Sequence, residues 1–218
     1  MSNDKLKPIV VIGGGGHASV LVDILRSQNR EILAIICPND ISERNVFSGI
    51  EHLRNDADVL NFSHENILLV NGIGMLPRSD LKQKLNQYYL CLGYKFATVI
   101  ATSAQVSPFS TIESGVQIFA GAIIQAGVSI CEHSVINSGV ILEHDCKVGT
   151  YNHIAPRATL CGQVSTGNDV FIGAGATIIQ NIEIEHRAIV GSGALVTKNL
   201  ATNNIYYPSQ STIHLIQR

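Results

Sequence analysis

From Ile100 to Val196 every sixth residue is Ile, Leu or Val, and Thr166 is the one departure. A helix repeats its buried face every 3.6 residues and a strand every 2, so neither element alone carries this pattern. A period of six fits a coil with three flat sides, each side taking one six-residue unit and turning one large side chain inward. Four residues after each aliphatic position lies a leaner register, running from Ala104, Ser110 and Val116 to Ala176, Ala188 and Ala194. A narrow prism has room for one bulky side chain per side, so its corners must stay small. Stacked coils bury one another's inward faces, which a lone coil cannot do. The stretch reads as a parallel β-helix in which residues eighteen apart stack.

This pattern resembles the hexapeptide-repeat proteins, whose β-helix is left-handed, an exception to the usual right-handed crossover. It claims residues 99–200 and leaves 1–98 for a separate domain. Residues 201–218 break the repeat and are expected to cover the open end of the coil. In the front part, the apolar run Pro8 to Ile12 ends in Gly13, Gly14, Gly15, Gly16 and His17, followed by an amphipathic stretch from Ala18 to Ser27 with Val20, Leu21, Ile24 and Leu25. Strand, glycine turn and helix in that order open a doubly wound α/β unit. Further strands are expected at Ile32 to Cys37 and Ile67 to Val70, and a helix at Arg78 to Tyr88. The fold class is therefore an α/β Rossmann-like domain followed by a left-handed parallel β-helix.

Gly13, Gly15 and Ala18 satisfy a G-x-G-x-x-A spacing that can cradle a pyrophosphate on a helix N-terminus. A dinucleotide site wants an acidic residue at the end of the second strand, and here that strand ends in Cys37, Pro38 and Asn39, with Asp40 arriving late. A nucleotide or nucleotide-sugar is preferred to NAD, and a merely tight turn stays open beside it. Asn71, Gly72, Ile73 and Gly74 form a second loop on the same strand-end side, so the two loops suggest a ligand crevice.

Composition excludes several classes. Net charge is −2, from 15 basic and 17 acidic residues, with no cationic run. Nothing advertises a nucleic acid or an anionic membrane as partner. No apolar run approaches a membrane span and Met1 to Pro8 is polar, so the expected location is the cytoplasm. The 5 cysteines lack CxxC spacing, which argues against a disulfide framework and a structural zinc site. Cys146 falls in the lean inward register and reads as a buried thiol.

Most outward positions of the coil are uninformative polar residues. The exception is Asn137 through His153, which concentrates Glu143, His144, Asp145, Asn152 and His153. An imidazole beside a carboxylate is what a general base needs, because the carboxylate fixes the tautomer and stabilises the imidazolium. Gly162, eighteen residues after His144, places bare backbone above the ring and offers an N–H to a developing oxyanion. His153, nine residues on, lies one and a half sides round the prism. If both histidines serve one site, that site is shared between subunits. No Cys or Ser has an adjacent base, so direct attack without a covalent intermediate is expected.

The glycine loop with His17, the hexapeptide coil and the run Asn137-Ser-Gly-Val-Ile-Leu-Glu-His-Asp-Cys-Lys-Val-Gly resemble the NeuD/PglD group of sugar acyltransferases. Members of that group are trimers that transfer acetyl from acetyl-CoA to a sugar, usually a nucleotide-linked 4-amino-4,6-dideoxy sugar of surface glycan synthesis. The resemblance implies His144 as base aided by Asp145, and His153 on the acetyl thioester from the neighbouring subunit. It implies Gly162 on the thioester carbonyl, Ala174 and Ser192 along the pantetheine, Asn137 on the sugar, and His17 and Gly72 on the nucleotide. The chain departs from relatives that carry paired Asp after the second strand, having Pro38-Asn39-Asp40. It also replaces the usual Gly-x-Pro-Ala-Lys ending by Tyr206-Tyr207-Pro208-Ser209-Gln210. Other readings are O-acetylation of a sialic acid or related sugar, and a trimeric nucleotide-binding scaffold without catalysis. A zinc hydro-lyase would need three histidines where His144 and His153 offer two, so no metal is expected. Long flat faces that must stay polar or pair with neighbours favour a homotrimer.

Overall fold

The computed structural model describes residues 7–208. Its front domain carries β1 (Ile9–Ile12), α1 (Gly16–Ser27), β2 (Ile32–Ile36), β3 (Glu51–Leu53), β4 (Leu68–Asn71) and α2 (Leu81–Cys91). The four strands form one sheet in the order β3-β2-β1-β4, with every pair parallel. Parallel strands need crossovers on their faces, and both faces are covered. Leu21, Val22 and Leu25 of α1 pack with Ile9, Val11, Ile35 and Val70 on one side. Tyr89 of α2 packs with Val10, Ile12, Ala34 and Leu69 on the other.

Three local features differ from the sequence reading. The α1 helix begins at Gly16 rather than Ala18, and Val20 stands 42% exposed instead of joining the apolar stripe. The α2 helix starts at Leu81, because Arg78 sits in the left-handed region at φ 67 and Lys84 N–H takes the Asp80 carbonyl. Strand β3 was not anticipated, since Glu51-His52-Leu53 has no alternation to betray it.

From Val99 onward the chain climbs as two-residue strands on three faces. The first face has seven strands from Val99–Ile100 to Ile205–Tyr206, the second has six from Gln105–Val106 to Leu195–Val196, and the third has five from Thr111–Ile112 to Glu183–Ile184. Successive coils pair in parallel at an offset of eighteen, as in Val135↔His153↔Phe171. Ile118, Ile136, Ile154 and Ile172 stack down the axis and are fully buried. At every corner from Gly115 to Gly193 the chain turns through a left-handed residue, Asp145, Tyr151 and Arg157 among them. That conformation costs non-glycine residues about 1–2 kcal/mol each. It is offset by a bond from the same residue's N–H to the coil below, as in Asp145 N to Ala126 O at 3.1 Å.

Thr166 and Asn152, polar side chains that point into the coil, are satisfied. Thr166 donates to Lys147 O and accepts from Gly149 N. Asn152, expected outward with the histidines, is instead fully buried in the lean register. Its amide donates to Gly167 O at 2.8 Å and accepts from Val170 N at 2.9 Å, mending a corner from inside. Cys146 is also fully buried, its thiol directed at Cys161 O. Of the tail, Ile205–Tyr206 pairs with Ile189–Val190 and extends the first face, whereas residues 209–218 lie outside the described residues.

The two domains dock through that first face. Val99, Ala101 and Phe119 of the coil join the apolar layer under α1, and Gln28 donates to Ile100 O at 2.6 Å.

Candidate active site

His144 and Asp145 occupy the corner between the second-face strand Ile141–Leu142 and the third-face strand Lys147–Val148. Asp145, at φ 62, turns its carboxylate back so that Oδ2 stands 2.9 Å from His144 Nδ1. An ionised carboxylate only accepts, so Nδ1 carries the hydrogen and Nε2 keeps its lone pair. The pair is open, with side chains 61% and 58% exposed. Gly162 stacks above. A Cβ there would lie 2.5 Å from His144 Nε2 and 2.6 Å from Cε1, so only glycine leaves the ring its place. The Gly162 carbonyl accepts from Asn181, while its N–H has no acceptor among the described residues. One corner thus packs a lone pair against the Gly162 backbone, whose N–H is uncommitted among the described residues, and those are the two groups that proton removal and oxyanion stabilisation require.

The other sequence-named residues of the coil lie elsewhere. Asn137, Ala174 and Ser192 follow the strands Val135–Ile136, Phe171–Ile172 and Ile189–Val190, which puts them on the edge between the first and second faces. His153 is on the first face itself, 7% exposed and stacked on Phe171 with ring centroids 5.1 Å apart. Its Nδ1 is buried without a hydrogen-bond partner among the described residues, and burial followed by the charge of Lys82 lowers its pKa to about 4. The whole second face separates these residues from His144, so one chain does not bring them together. The outward residues of that face include Ile123, Ile141 and Leu195, the last 58% exposed, whereas the third face presents Thr111, Ser129, Lys147, Ser165 and Glu183.

At the front domain, a cavity of about 450 Å³ opens over the glycine loop, lined by Gly14, Gly15, Asn39, Asp40, Glu43 and Arg44 among others. Nothing stands within 4 Å of a Cβ placed on Gly15, so a ligand can approach its backbone. Asp40 lines this cavity, although its position in the chain had argued against it. Hydrogen bonds from Ser42 hold its carboxyl below the ordinary range. Gly72 is required for close approach, since a Cβ would lie 2.6 Å from Ala18 Cβ and 2.9 Å from Ile12 O.

His17 turns toward the coil. Its Nε2 is 2.8 Å from Gln117 Oε1, its ring lies 5.1 Å from Phe119, and burial above all lowers its pKa to about 3. Gln117 in turn donates to Asn71 O at 2.7 Å, and Asn71 bonds Asn86 at 2.7 Å and the Ile73 N–H at 2.8 Å. This buried seam was missed in the sequence. Its signals in the sequence are Gln117 and His153, the polar residues in the column Val99, Gln117, Val135, His153, Phe171, Ile189.

A coil with a histidine–carboxylate corner, docked on a glycine-loop domain, defines an acyltransferase of the hexapeptide type. Residues 8–85 match the family model described as the PglD N-terminal domain, and residues 164–198 match the bacterial transferase hexapeptide (six repeats). PerB from Caulobacter crescentus, solved in complex with CoA and GDP-perosamine, is 31% identical at a TM-score of 0.82, over 92% of this chain and 93% of that one. The acetyltransferase domain of PglB from Neisseria gonorrhoeae FA1090, solved with acetyl coenzyme A, is 21% identical (TM-score 0.83; 94% and 99% covered). WeeI from Acinetobacter baumannii AYE is 22% identical (TM-score 0.79; 91% and 95% covered), and these last two show the shared fold. The chain belongs to the PglD/NeuD group of hexapeptide-repeat sugar acyltransferases. Among the described residues, no helix is long and apolar enough to cross a membrane, and no group of three His, Cys, Asp or Glu could hold a metal.

Proposed function

We propose that the protein is an acetyl-CoA-dependent N-acetyltransferase acting on the 4-amino group of a nucleotide-linked amino-deoxy sugar. The acceptor is of the GDP-perosamine or UDP-4-amino-4,6-dideoxy type, used for bacterial surface glycans in the cytoplasm. The observation that carries this is the His144–Asp145 pair with Nε2 packed against Gly162, whose N–H has no acceptor among the described residues. The neutral sugar nitrogen attacks the thioester carbon as His144 Nε2 takes its proton, and Asp145 stabilises the imidazolium. The Gly162 N–H holds the oxyanion. Collapse breaks the C–S bond, and the proton on His144 passes to the departing thiolate, giving the amide and free CoA.

The glycine-loop cavity holds the nucleotide beside Gly15, with Gly72 and His17 shaping the crevice and Asn137 touching the sugar. Ala174 and Ser192 line the pantetheine path. Because Asn137, His153, Ala174 and Ser192 lie across the second face from His144, the site is completed between protomers of a homotrimer, with the second face and its Ile123, Ile141 and Leu195 turned to the neighbour. His153 meets the thioester from that neighbour. Resemblance to PerB, solved in complex with GDP-perosamine, makes a GDP-linked 4-amino sugar the first acceptor to try. The test is thiol release from acetyl-CoA with GDP-, UDP- and dTDP-linked 4-amino sugars, free and CMP-linked sialic acids alongside. Turnover with an amino sugar supports the reading. Turnover only with a sialic acid replaces it by O-acetylation, and failure to bind acetyl-CoA replaces it by a scaffold.

A further inference from the structure

The seam between the domains holds a cation that the mechanism above does not use. Lys82, in the first turn of α2, is 2% exposed. Its Nζ lies 3.5 Å from Gln117 Oε1, the same atom that stands 2.8 Å from His17 Nε2. Gln117 Nε2 is committed to Asn71 O, so Oε1 is the shared acceptor, and His17 carries its hydrogen on Nε2. No carboxylate pairs with Lys82 among the described residues. The titratable groups that face it would carry the same sign if protonated: His17 on α1, His133 at a coil corner and His153 on the first face, all lowered by burial and by Lys82 itself. Asn71, Asn86 and Tyr151 complete the seam without charge. An ammonium this buried is expensive to keep ionised without a counter-charge, and desolvation lowers the pKa of Lys82 to about 7.

His17 lies in the first turn of α1, whose free N–H groups and dipole favour an anion and whose first turn holds no acidic residue. Lys82 and the α1 terminus therefore converge on one histidine, which follows by two residues the Gly15 that lines the glycine-loop cavity. Of the crevice's other charges, Arg44 bonds Ser19 at 3.3 Å, and Asp40 and Glu43 line the cavity with it.

We propose that Lys82 is the buried counter-charge for the diphosphate of the nucleotide-linked substrate, and that it takes up a proton when that ligand enters. This rests on the reading of a nucleotide sugar as acceptor. The sign follows from linkage. An anion favours the charged ammonium, so the complex holds the proton to higher pH than the free protein does. Between those two values, binding takes up a proton and affinity falls as pH rises. His17, His133 and His153 begin near 3 to 4 and stay neutral above pH 7. Among the titratable groups that face Lys82, it alone changes state in that window.

The test is titration calorimetry of the full chain with GDP and with UDP at pH 8, in two buffers of different ionisation enthalpy, and across pH 7 to 9. Wild type is expected to take up a large fraction of a proton per ligand and to lose affinity by up to about ten-fold per pH unit. Lys82→Met should bind about ten-fold or more weakly at pH 7, with no uptake and a flat pH profile, and bind guanosine as wild type does. Lys82→Arg, charged at every pH tested, should bind without proton uptake and serves if the methionine variant does not fold. Nucleotide binding by wild type with no proton uptake, or equal affinity in Lys82→Met, overturns the assignment and leaves the nucleotide-sugar reading standing. Absence of GDP and UDP binding in wild type removes both.

Discussion

Replacing Gly162 by alanine perturbs His144 without touching it. The added Cβ would stand 2.5 Å from Nε2 and 2.6 Å from Cε1, while ordinary contact begins near 3.4 Å, so the ring must retreat by roughly 0.9 Å. The ring is the part that yields, since His144 is 61% exposed and Gly162 belongs to a coil bonded on both sides. A displacement of about 1 Å in a reacting group costs about 10²-fold in rate, or about 2.7 kcal/mol of barrier. Gly162 is not in the left-handed region, so alanine is tolerated by the backbone and stabilises the fold by about 0.4–1 kcal/mol through the unfolded chain. The assay is thiol release from acetyl-CoA at saturating acceptor, with a thermal melt alongside. Gly162→Ala should show kcat down about 100-fold and an unchanged or slightly raised Tm, and in a His144→Ala background it should cost nothing more. Turnover within two-fold of wild type in a folded Gly162→Ala protein would refute the stacking argument.

Two other substitutions separate chemistry from architecture. Asp145→Asn keeps an acceptor for His144 Nδ1 but removes the charge that stabilises the imidazolium. Because the pair is well exposed and screened, kcat should fall by about 10- to 100-fold, less than on removing the base, which thiol-release kinetics will show. Asn152→Ala leaves Gly167 O and Val170 N buried and unpaired, at about 1–3 kcal/mol each, so the Tm should drop by roughly 5–20 °C in a calorimetric scan.

The coil was legible because its period is set by one residue per side, and the offset of eighteen then stacks Gly162 on His144 with no further information. The pairing of Asp145 with Nδ1 follows from adjacency plus a left-handed corner. Asn152 was misread because a polar residue in the lean register looks outward until the buried corner groups it serves are seen. The seam of His17, Gln117, Asn71 and Lys82 was missed for a different reason. His17 and Gln117 are 100 residues apart, and their contact exists only because α1 and α2 dock on the first face. A lysine in the first turn of an amphipathic helix reads as solvated, and nothing local to Lys82 says otherwise.

The most direct test of the central claim is the steady-state rate of His144→Ala against wild type, by thiol release with a GDP-linked 4-amino sugar, with acetyl-CoA affinity measured in parallel. With His144 as the base, kcat falls by about 10²–10⁴-fold while acetyl-CoA binds as before. Undiminished turnover in His144→Ala would contradict the account.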